Sequence, residues 1–163
     1  MDRMPMKPQT PSRSVSTEAD FEALSWHDVH VHALALGDWQ ESGRAYVDLD
    51  YIIEWLRPDT DKDPWKFKIA PATLVFQGVA KIVIHLDWGA GITLTEIKRD
   101  EVQLEGGWKG YRWSLRSDEG SLEIWAQGFR QALRSPGIIV AAPRQCLELD
   151  ERGGVVLGDH VQP

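Results

Sequence analysis

The feature that most constrains this chain is a period of two that runs from residue 28 to residue 55. Val29, Val31, Ala33 and Ala35 alternate with Asp28, His30, His32, Leu34 and Leu36. After residues 37–43, Ala45, Val47, Leu49, Tyr51, Ile53 and Trp55 alternate with Tyr46, Asp48, Asp50, Ile52 and Glu54. Such alternation lines the two faces of an extended strand, whereas a helix needs a repeat of about 3.6 residues to keep one face apolar. Residues 37–43, bounded by Gly37 and Gly43, read as the turn of an antiparallel hairpin. The odd-numbered positions of the second strand are the expected core face, with Asp48, Asp50 and Glu54 turned to solvent.

The same rhythm returns along the chain. Trp65, Phe67 and Ile69 alternate with Lys66 and Lys68, and Pro71 is expected to break this run before Leu74, Val75 and Phe76. Ile82, Ile84, Leu86 and Trp88 form another strand, and Gly89-Ala90-Gly91 predicts a tight reversal into Ile92, Leu94 and Ile97. Residues 111–115 and 121–125 follow, joined through Asp118-Glu119-Gly120. Residues 126–134 are expected to be strand or irregular chain, although Ala126, Phe129 and Leu133 also fit a helical stripe. Leu147 and Leu149 against Val155 and Leu157 predict a last hairpin. Thr17 and Asp20 resemble a weak capping box before Phe21, which predicts one short helix. Residues 1–16, with Pro5, Pro8 and Pro11, read as a flexible tail, leaving residues 17–163 as one domain. So many short strands predict a mainly β fold, a β-sandwich or curled antiparallel sheet, with at most one or two short helices.

Charge narrows the functional classes. The formal net charge is −7, which argues against nucleic acid, because affinity for phosphate comes mainly from Lys and Arg. Residues 28–63 hold nine acids against three bases, a net of −6, so the excess is local. No segment has the roughly 18 continuous apolar residues of a membrane span, and residues 1–16 lack an apolar signal core. Cys146 is the one cysteine, so no internal disulfide forms, and a reducing cytoplasm is the expected location. Beside Leu147, this thiol is expected to pack as a small hydrophobe.

The candidate chemistry lies on the first hairpin. If it pairs symmetrically about its turn, His30 faces Asp50 and His32 faces Asp48, and two imidazoles with two carboxylates can hold zinc or another divalent metal. With an open coordination position, such a site would generate hydroxide for hydrolysis. The alternative is that these residues form cross-strand polar pairs on a solvated sheet. Asp59-Thr60-Asp61-Lys62-Asp63 imitates the start of a calcium loop, but Pro64 and Ala70 stand where glycine and glutamate are required. Of the eight tryptophans, Trp39 and Trp108 are the expected surface anchors. No nucleophile elbow, phosphate loop, dinucleotide fingerprint or zincin helix is present. The leading expectation is a noncatalytic interaction protein that offers Asp48, Asp50, Glu54 and Trp39 to a basic protein partner. A metal-dependent hydrolase using His30, His32, Asp48 and Asp50 is the alternative.

His27-Asp28, Leu36-Gly37, Leu49-Asp50-Tyr51-Ile52 with Trp55, and residues 70–76 (APATLVF) are carried within residues 26–88. This segment resembles a family of small bacterial proteins with no assigned activity. It has a looser likeness to small acidic immunity proteins of bacterial toxin systems. The resemblance implies a bacterial cytoplasmic setting and transfers no functional residue.

Overall fold

A computed structural model of the chain describes residues 15–37, 43–87, 89 and 91–157. The alternating runs form β1 (Val15–Thr17), β2 (Val29–Gly37), β3 (Arg44–Leu56), β4 (Lys66–Gln77), β5 (Lys81–Leu86), β6 (Ile92–Gln103), β7 (Lys109–Ser117), β8 (Gly120–Ala126), β9 (Gly128–Leu133) and β10 (Ile138–Ala141). All are antiparallel in one open sheet of order β1-β9-β4-β3-β2-β6-β7-β8-β5, with β10 pairing β4 beside that path. The expected mainly β fold is therefore found in its curled-sheet form. Helical chain is confined to two short 3-10 segments, Glu18–Ala23 and Glu105–Gly107, among the described residues. At the first, Asp20 accepts a hydrogen bond from the Thr17 amide, as the capping box predicts. No helix among the described residues is long and apolar enough to cross a membrane.

The curl has a local cause. β8 and β9 follow one another through Gln127 but stand near opposite ends of the strand order, as do β4 and β5, joined through residues 78–80. Gln77 faces Gly128 on one side of this corner and Lys81 faces Trp125 on the other. The Gln127 amide donates to the Gln77 carbonyl and the Ala80 amide to the Trp125 carbonyl, carrying the ladder across the bend. Gly78 makes the turn at φ 61°, a left-handed conformation that other residues adopt only with strain. The curl encloses a core in which Trp113 meets Phe76 and Phe129 at ring-centroid distances of 5.4 and 6.3 Å.

Four expectations about connectivity are corrected. Val15 and Ser16 belong to β1 and pair with Ala132 and Gln131, so the domain begins before residue 17; residues 1–14 lie outside the described residues. Pro71 does not interrupt β4: the Arg134 amide donates to its carbonyl, so its missing N–H also points to that edge. There β9 ends at its pairing with Ala72 and β10 starts only at Ile69, so the missing N–H falls where one neighbour gives way to the other. β5 and β6 make no hairpin across residues 89–91, because β5 pairs β8 while β6 pairs β2 and β7. A glycine-rich turn fixes a reversal of direction, but the choice of neighbour rests on packing. Finally, residues 147–157 are turns rather than a hairpin, with Gly153 and Gly154 at φ 73° and 80°. The ambiguous stretch contains β9, as the strand expectation had it.

Candidate functional site

β3 is buried on both faces through its middle. Val47 and Leu49 are fully buried and Tyr51 and Ile53 nearly so, as the alternation predicts, and Trp55 packs in a T-shape on Phe67. Asp48 and Asp50, however, are also fully buried, between Tyr46 and Ile52. This overturns their expected exposure. The outer face of the strand is covered by the chain after β9, which brings Arg134 and Arg152 over the two carboxylates.

The Arg152 side chain has no solvent exposure, and each of its five N–H groups has a partner. Two nitrogens grip Asp48 side by side, Nη1 at 2.9 Å from Oδ2 and Nη2 at 2.7 Å from Oδ1. Nε donates to Asp50 Oδ1 at 3.0 Å, and the remaining donors reach the carbonyls of Gly154 and Leu49. Asp48 also accepts from Arg134 Nη2 and the Val156 amide, both at 2.9 Å. Asp50 Oδ2 accepts from the Leu147 amide at 2.7 Å and lies 2.7 Å from His32 Nε2. Burial alone would raise both carboxyls. For Asp48 the bonds from Arg152 and Val156 outweigh it, and for Asp50 those from His32, Leu147 and Arg152 do so, leaving both below the ordinary carboxylate range. Two carboxylates and two guanidiniums thus form a neutral, hydrogen-bonded cluster that clamps residues 147–156 onto the sheet.

The histidines arrive by a different register from the one expected. His30 does face Asp50, but a bulge at His32 places Ala33 opposite Asp48. The extra residue swings His32 toward Asp50 and leaves its ring 4.8 Å from that of His30. Burial, followed by His32, holds His30 below the usual imidazole value. His30, His32, Asp48 and Asp50 are therefore gathered in one region, yet the carboxylate oxygens are engaged by protein donors. No group of three or more His, Cys, Asp or Glu with metal-holding geometry occurs among the described residues. Burial and the nearby Asp50 and Glu148 charges raise the Cys146 thiol, the reverse of what activates a thiolate.

Glu54 is exposed, as expected, because a bulge at Ile53 ends the buried phase and pairs it with Lys68. Trp39 lies outside the described residues, and Trp108 is 65% exposed. Of the acids between residues 28 and 63, those exposed among the described residues are Glu54, Asp59, Asp61 and Asp63, at and beyond the end of β3. Beside them Trp65 is partly exposed, its carbonyl bonded by the Ala142 amide, and β10 presents Ile138 and Ile139.

Compared with protein-family models and with curated proteins, the chain matches none. Its site is described by its own geometry.

Sequence reasoning missed Arg134, Arg152 and the covering segment. A signal was present: Asp48 and Asp50 share their face with Tyr46 and Ile52, a mixture that solvent exposure does not explain. Fixing which cations answered them required the tertiary structure, since Arg152 lies about a hundred residues away in the chain.

Proposed function

We propose that the protein is a noncatalytic binding protein that meets a basic protein partner through the far end of the β3–β4 hairpin. The observation that carries this reading is the company kept by the exposed acids. Asp59, Asp61 and Asp63 stand next to exposed Trp65, whose carbonyl takes the Ala142 amide just after β10. Charge at the rim with an aromatic anchor beside it is the usual division of labour in an interface: charge speeds encounter, while the buried anchor holds the complex. Asp48 and Asp50 leave this docking surface, and Glu54 remains at its margin. An immunity-like inhibitor of a basic toxin is the form of this reading that fits the looser likeness to small acidic immunity proteins.

The test is affinity capture from the source cell, followed by kinetics with the identified partner. A basic partner is expected, whose association slows in Asp59→Asn/Asp61→Asn/Asp63→Asn and with added salt, and whose dissociation quickens in Trp65→Ala. Binding indifferent to the substitutions and to salt overturns the assignment of this surface.

A further inference from the structure

Among the described residues β5 ends the strand order, paired with β8 and with no strand paired along its outer edge. Its Ile84 and Leu86 are 46% and 37% exposed. Unpaired strand edges are templates for another strand, and proteins ordinarily blunt them with inward charge, proline or a covering loop. The strand itself, KIVIHL, carries no proline, and its charges stand at or just beyond the ends, Lys81 at the start and Asp87 after the last residue.

The direction of the free backbone groups follows from the ladder. The Asp87 amide donates inward to the Glu119 carbonyl at 2.8 Å. Inward and outward bonding alternate along an antiparallel strand, so Ile82, Ile84 and Leu86 turn their peptide groups to the free edge. Their side chains share one face, where Ile84 and Leu86 line a small apolar groove with Leu34 and Ile92. The groove volume is about 40 Å³, far below the roughly 300 Å³ or more of a small-molecule pocket, so it suits side-chain tips. Lys81, Val83, His85 and Asp87 occupy the other face.

We propose that this edge pairs with the same edge of a second copy of the chain, antiparallel about a two-fold axis through Ile84. In that register Ile84 faces Ile84 of the second copy and Ile82 faces Leu86, making an apolar ladder on one face. Lys81 faces Asp87 of the second copy at each end, so two ion pairs close the joint. The residues that must exchange hydrogen bonds, Ile82, Ile84 and Leu86, are those whose peptide groups already point outward. Sliding one strand by one residue turns bonding groups away from each other, and sliding it by two separates Lys81 from Asp87. The edge is thus self-complementary in backbone, apolar face and charge, as a two-fold contact requires.

Sedimentation velocity on the full chain over a concentration series tests the pairing. A reversible monomer–dimer equilibrium is expected. Lys81→Asp and Asp87→Lys should each weaken it by about tenfold or more, since each sets like charges opposite one another at both ends. Mixed in equal amounts, the two single variants should associate, because every facing pair is again opposite in sign. The double variant Lys81→Asp/Asp87→Lys should dimerise by itself. Circular dichroism confirms that each variant keeps its strand content. A wild-type chain that stays monomeric to its solubility limit overturns the proposal, as does a dimer unchanged by either single variant or a mixture that fails to associate.

Discussion

Asp48 and Asp50 in the middle of β3, and Asp59, Asp61 and Asp63 beyond its end, are one residue type within a short stretch of chain. The first pair is fully buried, its charge balanced by Arg152 and Arg134; the second set is exposed. What differs is not the acid but what the chain later lays over it. Net charge along a sequence therefore overstates the field that a partner meets, because part of it is spent inside the fold.

The comparison breaks most visibly at Arg152. Replacing it with Ala leaves two buried carboxylates short of their main counter-charge, a change that typically costs about 3–5 kcal/mol. Urea unfolding of Arg152→Ala checks this, and a loss below about 1 kcal/mol would mean that residues 147–156 are not clamped as described. Asp48→Asn and Asp50→Asn should be damaging for the same reason, so they are unsuitable probes of an interface.

Acid should reach the two regions differently. The folded Asp48 and Asp50 carboxyls lie below the ordinary value, so they contribute stability above the unfolded carboxylate pKa of about 3.9, which is lost as pH falls through the folded values. Thermal melts are expected to show that loss on acidification, and a smaller one in Arg152→Met, where the clamp is already gone. An equal acid loss in both proteins would place the sensitive groups elsewhere.

His30 gives a smaller effect at milder pH. Its folded pKa is depressed, so the unfolded chain takes up the proton first, and stability declines as pH falls below about 6.5 until the folded value is reached. His30→Gln should flatten this part of the stability profile. If the slope persists unchanged in His30→Gln, another group sets it.

The strands were legible because alternation is a local signal: Val47, Leu49, Tyr51 and Ile53 are core residues as their spacing says. The neighbour of β5, the bulge at His32 and the partner of Asp48 were not. Each depends on contacts between distant segments, and a bulge inserts one residue without leaving a mark in the pattern. The candidate site was therefore half readable, with the carboxylates and histidines visible and the arginines that determine their role hidden.

The smallest expected effect sharpens the comparison from its exposed side. Asp59, Asp61 and Asp63 are solvated, and the tertiary contact given up by neutralising them is slight: Asp63 accepts from Thr60 Oγ1 within its own turn at 2.8 Å. Exposed substitutions away from core and caps usually shift stability by less than about 0.5 kcal/mol, and removing like charges from one short loop relieves some repulsion. Asp59→Asn/Asp61→Asn/Asp63→Asn should thus unfold at nearly the wild-type urea concentration, while removing three negative charges against one in Asp48→Asn. If stability followed the number of charges removed, the triple variant would be the worse of the two. The expected order is the reverse, with the single buried substitution costing far more, and paired urea titrations decide it. A triple variant that lost more than about 1 kcal/mol would show the loop acids to be structural, removing them from the docking surface proposed for this end of the hairpin.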